Sequence, residues 1–411
     1  MRGDYTVPIT FMAETLLLEV GAMITAVALC GLLAKRVGLS VIPFYIIAGI
    51  VCSPFVVGRL GLPYIQETEF VALGAELGIV FLLFFLGLEF NLDRLLDNRT
   101  RISAIGLVDL GINFPVGFAL GYLFFGDLIA ATLMAGIIYI SSSAIITKSL
   151  LDLGWIANEE ASPMLGTLVF EDLFIAIYLA VVSALVIGGG DVGAAVESVG
   201  IALGFIFALL LLVQYGNAFF ERILRTDAHE YFVLRAVGVT VLVAGAALAV
   251  GVSEAVAAFF IGMAFSSTSH VHELETLLEP VRDLFAAVFF FWIGLITDPL
   301  LIGGVAGLLA VAVLASTPTK LLSGYWSGRV YDLTHARSVR VGAGMVTRGE
   351  FSLIIAATAA AGTGSVLTET IPAFAVGYVL LMSILGTVCM QYAGVFEDII
   401  PDRTGPPEPT D

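Results

Sequence analysis

Apolar runs of about 20 residues recur from one end of this chain to the other, each long enough to cross a ~30 Å hydrocarbon core. In lipid every backbone N–H and C=O has to be satisfied within the segment, so runs of this length fold as α-helices. Of the 411 residues 59% are hydrophobic and 13% charged, where a soluble domain is typically about one quarter charged. The fold class is therefore an all-α polytopic membrane protein. Hydropathy breaks into about thirteen transmembrane helices. The fifth covers 128–151, the sixth 163–188, the eleventh 300–327 and the twelfth 338–361. A transmembrane unit is expected over 1–400, followed by a polar, Pro-rich tail over 401–411 (PDRTGPPEPTD) that is expected to be disordered and cytosolic.

Basic residues set the expected orientation. Thirteen of them, including Lys35, Arg36, Arg99, Arg101, Arg282, Arg337 and Arg340, fall on one side of this span pattern, and only Arg2 and Arg59 on the other. The positive-inside bias places the N-terminus outside and the C-terminus in the cytoplasm. Lys148, Lys320 and Arg348 remain, and all three fall inside spans. The formal charge of −17 argues against nucleic acid as a partner and raises a salt-rich habitat on composition alone. Cys30, Cys52 and Cys389 lie in apolar segments at spacings that suggest neither a disulfide nor a zinc site.

The two halves look related. Span 3 reads FLLFFLGLEF from Phe81 and span 10 reads VFFFWIGLIT from Val288, a shift of 207 residues that aligns Gly87 with Gly294. A shift of 213 aligns Gly49 of span 2 with Gly262 of span 9. Repeat one then covers about 13–188, a linker helix about 193–219, and repeat two about 231–395. The offset of seven spans is odd, so the second copy enters from the opposite side, as in the inverted repeats of many secondary transporters. The 207-residue shift also carries Ser141-Ser142-Ser143 onto Arg348-Gly349-Glu350. Polar breaks at corresponding positions point to crossed, discontinuous helices around a midplane site.

Glu171-Asp172 are the only charges between Met164 and Gly188. A carboxylate at such depth costs roughly 2.5–3.5 kcal/mol on insertion scales, so the pair needs a partner or a task. Desolvation and a like-charged neighbour both favour the protonated form, and such a group can trade its proton for a dehydrated monovalent cation. The structural alternative is a hydrogen-bonded pair that only holds helices together. Lys320, at similar depth in span 11, is the natural partner of Glu171, which leaves Asp172 to titrate; the alternative is a lysine snorkelling to the interface. Pro318 suggests a kink beside it. Ser142, Ser143 and Thr147 offer oxygens to a cation, or hydrogen bonds between helices. Arg348 and Glu350 are expected either to form a local salt link across the break, with Gly349 allowing close approach, or to contact the ion directly. Glu76 and Asp109 receive no role beyond polar packing. His270 and His272 lack the surroundings of a metal site, and nothing suggests nucleotide hydrolysis, an enzyme or a cofactor.

The strings AELGIVFLLFFLGLEF (75–90), ISSSAIITKSL (140–150), VFEDLFIAI (169–177), AAFFIGMAFSS (257–267), FFFWIGLITD (289–298) and TRGEFSLIIA (347–356) span most of the chain. In this order they resemble the monovalent cation/proton antiporter superfamily, particularly its Kef-like branch, with the fold of sodium/hydrogen exchangers. The resemblance implies a homodimer in which a core domain slides against a dimerisation domain, with spans 5 and 12 crossing at the ion site. It matches Asp172 to the family's essential cation- and proton-carrying aspartate, and Lys320 to a lysine that pairs with the preceding acid. Glu171 stands where glutathione-gated potassium members have Gln and sodium exchangers have Asn or Asp, so K⁺ and Na⁺ both stay open. Many relatives continue into a cytosolic nucleotide-binding domain. Here a separately encoded cytosolic regulatory subunit is the expectation.

The expected function is secondary active exchange of K⁺ or Na⁺ for H⁺ across a prokaryotic plasma membrane. Two other readings are a gated K⁺ efflux path with channel-like flux, and a membrane sensor that binds an ion without moving it. Turnover with proton counter-movement separates the first, and saturable binding without flux the second.

Overall fold

A computed structural model describes residues 9–89, 92–187, 192–225, 229–249 and 252–393. The polar tail 401–411, expected to be disordered, lies outside the described residues, as do the side chains of Lys148, Glu89 and Asp93. All regular structure among the described residues is helical.

The first half contains α1 (Ile9–Val37), α2 (Val41–Cys52), α3 (Glu69–Glu89), α4 (Leu92–Phe125), α5 (Leu128–Tyr139), α6 (Ser143–Asp152) and α7 (Ala161–Ile187). After these come α8 (Val192–Tyr215) and α9 (Asn217–Leu224), which meet at a 69° bend. The second half contains α10 (His229–Ala249), α11 (Glu254–Ser266), α12 (Val271–Leu295), α13 (Pro299–Gly304), α14 (Ala306–Val330), α15 (His335–Gly344), α16 (Glu350–Ala360) and α17 (Ile371–Gln391). Among the described residues, seven helices are long and apolar enough to cross a membrane unaided, or eight if the bent pair counts as one span. Four shorter apolar helices, α2, α5, α11 and α16, are buried over much of their length.

Helix packing falls into two groups. In one, α3 packs on α11 and α12, α2 on α12, and α10 on α11. In the other, α4 packs on α5, α7 and α14, α14 on α15, and α16 on α7 and α17. A cavity of about 290 Å³ lies where α3, α11 and α12 of the first group face α7 and α16 of the second, with Glu76, Glu254, Trp292 and Ser183 in its wall. Glu76, expected only to pack, therefore lines open space.

The first group is held at two glycine crossings. A Cβ on Gly49 would stand 2.0 Å from the Phe291 carbonyl oxygen, and one on Gly294 2.0 Å from that of Ile46. A Cβ on Gly87 would likewise stand 2.0 Å from the Phe259 carbonyl oxygen, and one on Gly262 2.0 Å from that of Phe84. At both crossings backbone lies directly on backbone, which no larger residue permits. Helix α2 thus meets α12, and α3 meets α11, at the four glycines that the sequence shifts align.

One departure from the expected spans has a local cause. Span 11 opens with the short α13, started by Asp298, whose side chain accepts from the Leu300 N–H at 2.9 Å, and α13 gives way to α14 at Val305. The helix then continues through Pro318, where the sequence suggests a kink, and the hydroxyl of Thr319 bonds to the carbonyls of Ala315 and Ser316 in the same turn.

Candidate functional site

Spans 5 and 12 are each two short helices separated by a polar break. Asp127 starts α5 by accepting from the Ala130 N–H at 2.7 Å, and Thr334 starts α15 by accepting from the Arg337 N–H at 3.4 Å. Chain leaves α5 after Tyr139 and resumes as α6 at Ser143; it leaves α15 after Gly344 and resumes as α16 at Glu350. The breaks touch. Ser142 N–H donates to the Thr347 carbonyl at 3.3 Å, and a Cβ on Gly349 would stand 2.3 Å from Ser142 Oγ.

Four helix ends converge here, and the buried charges are sorted among them. Arg348, fully buried, donates to the Ile138 carbonyl at the end of α5 and to the Met345, Val346 and Thr347 carbonyls that follow α15. A cation therefore sits at two helix C-termini, where the unpaired carbonyls carry partial negative charge. Glu350 opens α16 and accepts from Ser142 Oγ at 2.7 Å, while that same hydroxyl oxygen accepts from the Ile145 N–H of α6. An anion therefore sits at two helix N-termini, the favourable pole. This corrects the expected local link between Arg348 and Glu350: Arg348 caps backbone carbonyls and Glu350 meets the Ser142 hydroxyl, because the broken helices leave carbonyls at one pole and amides at the other.

Glu171 and Asp172 reach the same place from the middle of α7. Ser143 Oγ donates to the Asp172 carboxylate at 3.1 and 3.3 Å, and Asp172 is 5% exposed. The Ser141 N–H and hydroxyl donate to Glu171 at 2.7 and 3.0 Å. Lys320 Nζ lies 2.6 Å from Glu171 Oε1, as the sequence led us to expect. Thr147 stands one turn beyond Ser143 on α6 and is half-buried.

The sequence reading missed Asp109. Its Oδ2 lies 2.7 Å from Lys320 Nζ, and its Oδ1 accepts from Ser323 Oγ at 2.6 Å and Asn113 Nδ2 at 2.9 Å. The signal was present as two facing polar stripes. Ser316, Lys320, Ser323 and Ser327 recur at helical spacing on α14, and Asp109 and Asn113 one turn apart on α4; all six are buried. The ring of Tyr139 also faces Lys320, with its centroid 5.1 Å from Nζ. Among the described residues, Asn113 Oδ1, Tyr139 OH, Thr347 Oγ1 and Arg348 Nη2 are buried polar atoms of this region with no hydrogen-bond partner. His270 and His272 stay apart, against Glu221, Glu273 and Glu275, and among the described residues no group of His, Cys, Asp and Glu could hold a metal ion.

Chemically the arrangement is a small set of carboxylate, hydroxyl and carbonyl oxygens, nearly dry, at the meeting of four helix ends. Oxygen donors of this kind suit a hard cation or a proton.

The model of the family "Sodium/hydrogen exchanger, transmembrane" matches residues 23–391. The chain is 36% identical over 376 residues to the K(+)/H(+) antiporter subunit KhtU of Bacillus subtilis, covering 91% of this chain and 92% of that one. It is 29% identical over 384 residues to the ammonium/H(+) antiporter subunit AmhT of Alkalihalophilus pseudofirmus, covering 92% and 93%. The solved structure of the sodium proton antiporter MjNhaP1 from Methanocaldococcus jannaschii at pH 8 has the same fold, with a TM-score of 0.70 at 16% identity over 92% of this chain and 98% of that one.

Proposed function

This chain belongs to the sodium/hydrogen exchanger family, a family of membrane antiporters rather than enzymes, and on that premise we propose that it exchanges K⁺ or Na⁺ for H⁺ at Asp172. The observation that carries the reading is the position of Asp172: nearly buried, in mid-span, hydrogen-bonded to the first residue of a helix that starts inside the membrane. The similarity to a K(+)/H(+) antiporter subunit favours K⁺.

In this reading Asp172 binds cation and proton in competition. Ser142, Ser143 and Thr147 supply oxygens to the cargo, the unpartnered Thr347 Oγ1 adds another, and Glu171 adds negative charge. Lys320, Arg348 and Glu350 balance charge in the moving part. Transport follows elevator-type alternating access, in which the group containing α4–α7 and α14–α17 slides as a core against the group containing α1–α3 and α10–α12. Only a site occupied by proton or cation crosses, because an unpaired carboxylate is too costly to carry past an apolar barrier. The cavity beside Glu76 and Glu254 lies at the boundary between the two groups and fits an access route. The two glycine crossings support the inverted repeat, since exchanging span 2 for 9 and span 3 for 10 turns one crossing into the other. The relatives' names support a separate regulatory subunit, because both are called subunits. A homodimer in the plasma membrane of a prokaryote, N-terminus outside, completes the proposal.

A pH-sensitive dye in proteoliposomes tests it. Pulses of K⁺, Na⁺ and Li⁺ should each be followed for proton movement. Counter-movement that saturates with K⁺ or Na⁺ supports exchange, whereas cation flux without proton movement contradicts it.

A further inference from the structure

Asp109 takes half of the contacts of Lys320. The ammonium stands 2.7 Å from Asp109 Oδ2 and 2.6 Å from Glu171 Oε1, so one positive charge is shared between two buried carboxylates. Neutral donors complete each acid. Asp109 accepts from Ser323 and Asn113, and Glu171 accepts twice from Ser141. With both acids ionised the trio carries a net charge of −1, and Glu171 is the residue before Asp172 in the chain. Were Lys320 bonded to Glu171 alone, that pair would be neutral.

We infer that Asp109 is a positioning residue of the exchange site: by sharing the Lys320 ammonium it leaves uncompensated negative charge on Glu171 beside Asp172, and so sets how tightly a monovalent cation is held. The inference rests on the reading of Asp172 as the cation site.

Two readouts test it. Thermal unfolding of the purified protein in detergent against K⁺ and Na⁺ reads binding without transport, and proteoliposome exchange gives KM and maximal rate. Asp109→Asn keeps the shape and takes the trio from −1 to 0. The half-stabilising cation concentration and KM should both rise on the order of tenfold, with the maximal rate within about twofold of the parent. The double variant Asp109→Asn, Lys320→Gln returns the trio to −1 and should return both quantities toward the parent. An Asp109→Asn protein with parental values, whatever its melting temperature, overturns the inference, and so does a double variant as weak as the single one. Should Asp109→Asn not fold, Asp109→Glu and the double variant carry the test, and weak cation binding by either overturns it. A parent stabilised by cations that moves none would end the exchange reading and leave this inference standing. A parent stabilised by neither cation would overturn it.

Discussion

Arg348 Nε donates to the carbonyl of Ile138 at 2.9 Å, joining two residues 210 positions apart across the meeting of the two broken spans. The same guanidinium bonds to the Met345, Val346 and Thr347 carbonyls, so four carbonyls that the breaks deprive of helical partners share one cation. Removing it would leave the Ile138 and Val346 carbonyls without this donor in a buried place, while Thr347 keeps the Ser142 N–H, and a lysine lacks the planar fork needed to reach several at once. Arg348→Ala should lower stability by about 3–5 kcal/mol, and Arg348→Lys should recover only part of that. Unfolding of the purified variants in detergent checks both, and Arg348→Lys at parental stability would contradict the capping role.

Lys320→Gln removes the one cation between Asp109 and Glu171, and breaking a buried ion network from one side costs about 3–5 kcal/mol. Melting temperature and yield should both fall, and adding Asp109→Asn should restore much of the loss because one fewer acid stays uncompensated. Equal stability of the single and double variants would show that the two acids are not coupled through the lysine.

The glycine crossings predict sharp positional sensitivity. Gly294→Ala would set a Cβ 2.0 Å from the Ile46 carbonyl oxygen, so the helices must part, at about 1–3 kcal/mol. Gly307→Ala, in α14, meets nothing within 4 Å and should cost nothing, or stabilise by up to about 1 kcal/mol through helix propensity. Thermal unfolding of the pair checks the contrast.

Much of this could be read from the residue order, because lipid removes the alternatives. Apolar length gave the helices, and the polar interruptions at Ser141–Ser143 and Arg348–Glu350 gave the breaks and their meeting. The Glu171–Lys320 contact followed from the cost of burying either charge alone. What could not be read was which acid would share Lys320, since that depends on α4 packing against α14, and the spacing of Asp109 and Asn113 names a face without naming its neighbour. The roles of Arg348 and Glu350 were misjudged for a related reason. Adjacency in sequence suggested that they face each other, whereas the orientation of four helix ends draws them to opposite poles.

Competition at a single carboxylate fixes the pH dependence. On the acid side of the point where the empty site is half protonated, each unit fall in pH should raise the apparent KM for the cation about tenfold, with the maximal rate unchanged at saturating cation. Initial rates of cation-driven proton movement at several pH values check this. A maximal rate that falls while KM stays constant would show that proton and cation do not share a site.

The most direct measurement is cation-driven proton exchange by Asp172→Asn in proteoliposomes, beside the parent at equal reconstituted amount. Asparagine keeps the side-chain shape beside Ser143 but holds neither a proton in exchange nor the charge that attracts a cation. The account predicts a folded protein with no pH-dependent exchange of K⁺ or Na⁺. Exchange at the parental rate would contradict it.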